Sequence, residues 1–171
     1  KEILEVAYTS ELVEEAGLKI IKILSKYFYY NYCSLYKYDE KRDSLNIICS
    51  TVPSTELKNL IDIGNYLLNK EFSDAYIESS NLPLNYKSTY KRGVKYIYFI
   101  PLEIGNAIIG ALLIEKTNPY SKNEEKEFET EFFEVVTETI TLALQNLIYF
   151  EKIRDSAYID GLTQIYNRKY M

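Results

Sequence analysis

Two apolar runs, Val94–Leu102 and Ala107–Lys116, are separated by only four residues that include Gly105-Asn106, and they limit the fold more than any other feature of the chain. Each has strand length, and the short connection predicts an antiparallel hairpin. Their apolar character is nearly continuous rather than alternating, which implies burial on both faces, so helices must cover both sides of the sheet. If the hairpin pairs residue 103 with 107, Lys95 falls opposite Glu115, and Ile97, Phe99 and Leu113 share their face.

The residues before this pair supply the covering elements. Val13, Ile20, Leu24 and Tyr27 recur at helical spacing within Ser10–Phe28, with Glu11, Glu14 and Glu15 in the first turns. Residues 32–38 and 44–51 are rich in Tyr, Leu, Ile and Cys, and the charged connector Asp39–Asp43 predicts a second hairpin, symmetric about Lys41. Ser54 after Pro53 is the expected N-cap of a helix whose face is Leu57, Leu60, Ile61, Gly64 and Leu68. Asp74–Glu78 is a short strand, and Asn81–Arg92, with Pro83, an irregular loop of the kind that covers binding sites.

From Ser121, with Glu124 completing a capping box, no Pro or Gly interrupts the chain until Gly161. A helix of roughly 36 residues would be about 54 Å long, more than the sandwich needs, so its end is expected to project. Phe133, Val136, Ile140, Ala143, Leu147, Phe150 and Arg154 alternate at spacings of three and four, which predicts a dimer seam with a polar interruption at Arg154. Phe128, Phe132, Val135, Leu142, Tyr149 and Ile153 form a second stripe. One stripe faces the chain's own sheet and the other a partner helix; a single wide core-facing stripe is the alternative.

Composition removes several classes of function. The 171 residues contain no histidine, which excludes Ser-His-Asp and Cys-His nucleophilic sites, His-ligated haem and most zinc sites. The formal net charge is -5 without any basic stripe, so nucleic acid is not an expected partner. No apolar stretch approaches the ~18 to 20 residues of a membrane span. Two cysteines, Cys33 and Cys49, are too few for a disulfide framework and fit a cytoplasmic protein. The symmetric hairpin would bring them together, either as packed thiols or as a redox pair. No cofactor and no metal site is expected.

Asp160-Gly161-Leu162-Thr163-Gln164-Ile165-Tyr166-Asn167-Arg168 resembles the opening Asp-x-Leu-Thr-Gly-Leu-Tyr-Asn-Arg signature of GGDEF domains, the diguanylate cyclases that make cyclic di-GMP, with Gln164 in place of the usual glycine. In that family the signature follows a heptad-bearing helix and docks it on the cyclase, and the catalytic groups come later, so this chain is expected to be no enzyme itself. Pro101-Leu102, Gly105 and Ile109-Gly110-Ala111-Leu112 resemble the Pro-Leu, glycine turn, Ile-Gly-x-Leu run of GAF domains. The element order also resembles that family, and the helix between the second and third strands suits it better than the related PAS domains. Asn69-Lys70 and Phe72 resemble the start of the cyclic-nucleotide motif of some members, but the Asp-Glu pair that completes it is missing. The Cys-His of bilin-binding members is missing as well.

The resemblance implies an α+β, GAF-like antiparallel sheet covered by helices on both faces. It divides the chain into a sensor core over 1–121, a long signalling helix over 122–158, and the start of a GGDEF domain over 159–171. It further implies a homodimeric cytoplasmic sensor that binds an unidentified small molecule and regulates a cyclase domain in cis. By analogy with ligand-bearing members, Lys95, Ile97, Phe99, Leu113 and Glu115 look toward the pocket, and Tyr86 and Tyr90 line it. The alternatives are a ligand-free dimerisation module and a cysteine-based redox sensor or sulfoxide reductase of the same fold.

Overall fold

In a computed structural model of the chain the two apolar runs are antiparallel neighbours, Tyr96–Ile104 and Ala107–Lys116. The structure describes residues 13–25, 29–70, 76–83, 86, 92–119, 121–123, 134–135 and 137–153. In chain order these form helix α1 (Val13–Leu24), strands β1 (Tyr32–Asp39) and β2 (Ser44–Ser50), helix α2 (Leu57–Asn69), and strands β3 (Tyr76–Glu78), β4 (Tyr96–Ile104) and β5 (Ala107–Lys116). A last helix, α3, is described over 137–153. The five strands make one antiparallel sheet in the order β2-β1-β5-β4-β3. β5 is therefore central, as its two buried faces require.

Both hairpins differ from the symmetric expectation in the same way. Ile104 pairs with Ala107 across the turn, where Gly105 supplies a φ of 61°, and a bulge between Leu102 and Glu103 adds one further residue of offset. Ile97, not Lys95, is therefore opposite Glu115. A single-residue slip would turn every side chain to the other face, but two slips restore the original face. The first hairpin likewise starts at Asp39 and Ser44 and gains a residue at a bulge between Leu35 and Tyr36, so Leu35 is the residue opposite Cys49.

The two faces of the sheet hold separate cores. Ala16, Ile20, Ile21 and Leu24 of α1 and Ile140, Ala143, Leu144 and Leu147 of α3 pack against Leu35, Ile100, Leu112 and Ile114. Leu60, Ile63 and Leu67 of α2 pack on the other side against Tyr36, Ile97, Phe99, Ala111 and Leu113. Gly64 lets α2 lie on the Tyr36 ring, where a Cβ would stand 2.7 Å from a ring carbon, and the Tyr36 hydroxyl donates to Leu60 O at 2.8 Å.

The last helix corrects the expected dimer seam. Ile140, Ala143 and Leu147 are at most 1% exposed, held against the chain's own sheet. The small residue Gly110 makes room for this helix, since a Cβ there would meet Leu144 Cδ2 at 2.6 Å. The second stripe is the uncovered one, with Val135, Leu142, Tyr149 and Ile153 between 50% and 65% exposed. Phe150 is 43% exposed, while Phe133, Val136 and Arg154 lie outside the described residues, as do 159–171. Ser54 is corrected too: it opens a 3-10 turn, Ser54–Glu56, and α2 begins after Glu56 without a side-chain cap.

Candidate functional site

Glu115 interrupts the apolar inner row of β5 with a carboxylate. It follows Ala111 and Leu113 on the α2 face, sits in the sheet between Tyr32 of β1 and Ile97 of β4, and is completely buried. Its cation comes from a turn rather than from the sheet. Gly93, at a φ of 74° that favours glycine, follows Arg92 in the turn that leads toward β4, and the Arg92 side chain enters the core with 6% of its surface exposed.

Arg92 Nη2 lies 3.0 Å from Glu115 Oε2. Its Nε donates to Glu56 at the start of α2, and its guanidinium carbon stands 4.8 Å from the centre of the Tyr32 ring. Four segments distant in sequence thus meet at one charge cluster of two carboxylates, a guanidinium and an aromatic face. Arginine suits this place because its planar fork tolerates desolvation and stacks on rings. Burial pushes the Glu115 carboxyl above its ordinary range, Arg92 opposes that shift, and Glu56 adds to it. Burial also works against the Arg92 charge, but Glu115 and Glu56 outweigh it and raise the guanidinium pKa.

Both Glu115 oxygens and both terminal Arg92 nitrogens are buried, and the 3.0 Å approach of Nη2 to Oε2 joins the two groups. Such groups carry a desolvation cost that good hydrogen bonds would offset.

The other expected site residues have distinct places. Ile97 and Leu113 are fully buried and Phe99 is 5% exposed, all on the α2 face with Glu115. Lys95 is exposed, with its backbone N–H donating to Lys116 O, and it does not join Glu115. The two-residue register change removes it, and Arg92 takes the cationic role expected of it. Tyr86 is half-buried against the same core, 5.4 Å between ring centres from Tyr66. Tyr90 lies outside the described residues. Arg92, Glu56 and Tyr32 were not expected. One signal pointed to Arg92: only four arginines stand among the 20 basic residues, so each marks a place where lysine would serve less well.

Cys33 and Cys49 are free and buried on the opposite face. Burial pushes the Cys33 thiol well above its usual value, and burial takes Cys49 up to about 12. Neither thiol is prepared for nucleophilic chemistry. A separate open groove of about 470 Å³ lies at the β1–β2 tip beside α3, lined by Lys37, Asp39, Lys41, Ile109, Ile148 and Lys152. Among the described residues no three metal-ligating side chains come together, and no helix is long and apolar enough to cross a membrane.

Solved structures share this architecture. A domain of a protein described as a two-component sensor histidine kinase from Sinorhizobium meliloti 1021 matches with a TM-score of 0.63 and 11% identity, over 85% of this chain and 99% of that one. The GAF domain of a two-component sensor histidine kinase from Bacillus halodurans matches at 0.56 and 12%, over 83% of this chain and 99% of that one. The chain has a GAF fold. A GAF domain/HD domain protein from Geobacter sulfurreducens matches similarly, at 0.55 and 15% over 88% of this chain and 99% of that one. No protein-family model and no curated protein matches the sequence. Within the GAF fold of this chain, the charge cluster occupies the sheet face under α2, and α3 covers the other.

Proposed function

We propose that this GAF-fold chain is a dimeric, cytoplasmic regulatory sensor that controls a diguanylate cyclase domain beginning at 159–171. The observation that carries this reading is the apolar stripe that α3 leaves uncovered. Val135, Leu142 and Tyr149 recur every seven residues, Ile153 extends the row, and all are at least half exposed. A heptad row is the pattern of a helix that pairs with its own copy, and two identical stripes form an isologous interface. The row leads toward the Asp160–Arg168 segment that resembles the cyclase opening. Two GTP-loaded cyclase domains must meet to make one cyclic di-GMP, so a sensor that sets helix geometry controls the rate. The likeness to domains of sensor histidine kinases supports the sensing role. The chain by itself forms no product from GTP, since the metal ligands and nucleotide loop of the cyclase are not in it.

Phase distinguishes a transmitting helix from a tether. One residue inserted after Leu147 rotates the following residues by about 100°, whereas seven restore the stripe to within roughly 20°. In the full-length protein the single insertion is expected to lock or uncouple cyclase output and the sevenfold insertion to preserve regulation. Equal behaviour of the two, or a monomer at working concentration, contradicts the proposal.

A second reading is a dimerisation module that takes no ligand. It is favoured by the α2 face, where Ile97, Phe99 and Leu113 are covered by the chain's own side chains. Phase-sensitive regulation without small-molecule binding in calorimetry would select it.

A further inference from the structure

The uncovered stripe of α3 has one polar member that its own chain leaves unsatisfied. Val135, Thr139, Leu142, Asn146, Tyr149 and Ile153 follow one another at alternating steps of four and three, which puts Thr139, Asn146 and Ile153 at the a positions of a heptad and Val135, Leu142 and Tyr149 at the d positions. Thr139 is satisfied within the helix, because its hydroxyl donates to Val135 O at 2.8 Å and leaves the methyl group for the seam. Asn146 is half-buried between the turns of Leu142 and Tyr149, and its side-chain amide makes no hydrogen bond among the described residues. An amide carries both donors and an acceptor, so closing an apolar seam over it costs free energy unless a matching amide stands opposite. The amide is its own complement and so is the four-three alternation, which makes a second copy of this helix the occupant of the stripe.

We propose that Asn146 sets the orientation and register of the dimer by pairing with Asn146 of the second copy. The proposal rests on the dimeric reading above and deepens it by naming the contact that aligns the two α3 helices. Only a parallel, in-register pair places the two amides opposite each other, where each donates to the other's carbonyl. A shift of one heptad sets Asn146 against Thr139 or Ile153, and a reversed copy sets it against Leu142 or Tyr149; both leave at least one amide unbonded in the seam. The flanking charges argue the other way, since the exposed Glu138 and Lys152 lie on one edge of the stripe and would meet across a reversed copy. Exposed ion pairs contribute little and are screened by salt, whereas an unbonded amide costs its full desolvation, so the parallel pair wins. That pair also brings the two segments that resemble the cyclase opening to the same end, as two domains that must meet require.

Cysteines placed on the seam read the orientation directly, because the chain's own Cys33 and Cys49 are buried. Leu142→Cys should give a disulfide-linked dimer under mild oxidation, and Tyr149→Cys, one heptad on, should do the same, since d residues of a parallel in-register pair face each other. Adding Asn146→Leu should tighten self-association in sedimentation, yet lower the Leu142→Cys cross-link to about half or less as reversed pairing becomes populated. All three positions lie off the covered core, so the variants keep the monomer fold. Cross-linking at neither cysteine in a chain that sediments as a dimer, or an unchanged yield after Asn146→Leu, overturns the proposal and leaves the dimeric reading standing. A chain that stays monomeric at every concentration overturns both.

Discussion

The two faces of the sheet solve the same packing problem with different chemistry. Beneath α1 and α3 the core is made of aliphatic residues, Tyr98 and two buried thiols; Lys116 on that face is buried and donates to the Tyr29 carbonyl, and among the described residues the ion pair Lys37–Glu151 stands at the rim with about a third of each side chain exposed. Beneath α2 an equally apolar core closes around Arg92 and Glu115, whose side chains are 6% and 1% exposed. Burying an ion pair is weak support for stability, because desolvation offsets most of the attraction. The difference therefore teaches where to look for function: one face holds the helix with the uncovered apolar stripe, and the other contains charges that stability alone does not require.

The largest expected effect comes from breaking the buried pair on one side only. Arg92→Met should cost about 3–5 kcal/mol at pH 7, because it leaves Glu115 charged and unpaired in the core. Urea unfolding should show that deficit shrinking as pH falls. The sign follows from Glu115, whose folded pKa is raised above its unfolded value, so the folded state gains when the carboxyl is protonated and loses as pH rises through the folded pKa. Lys37→Met on the opposite rim should cost no more than ~1 kcal/mol, as exposed pairs do.

Truncation sharpens the same contrast within α3. Ile140→Ala, on the covered stripe, should cost about 2–5 kcal/mol in the same assay. Leu142→Ala, on the uncovered stripe, should change monomer stability by less than ~0.5 kcal/mol yet weaken self-association in sedimentation. A Leu142→Ala cost as large as that of Ile140→Ala would mean the stripes have been assigned the wrong way round. The smallest effect is expected at the thiols: Cys33 and Cys49 should resist a thiol reagent in the native chain and react on unfolding.

Much of the fold was legible in the sequence because hydrophobic period and turn chemistry are local. The strands, the helix–sheet layering and the inward face of Ile97, Phe99, Leu113 and Glu115 followed from them. Register was not, since a bulge leaves no fixed residue signature, and the two-residue error moved Glu115 from Lys95 to Ile97. The site was legible as a face but not as a cluster. Glu56 carried no signal of its own, and Arg92 stood only at the end of a loop; what joins them to Glu115 is tertiary. The α3 stripes could not be ranked from sequence, because both satisfy the heptad and only the close approach at Gly110 decides which one meets the sheet.

Removing both charges tests most directly whether the buried pair is functional or structural. Arg92→Met/Glu115→Leu leaves Glu56, which is 20% exposed, free to hydrate, and fills the recess with apolar atoms. Unfolding free energies of this chain, the two single variants and the native protein complete a double-mutant cycle at pH 7. A functional pair predicts a double variant at least as stable as the native chain, with a gain of up to about 1–4 kcal/mol, while Arg92→Met alone is severely destabilised. A double variant as unstable as Arg92→Met would show that the pair holds the fold together and would contradict the account.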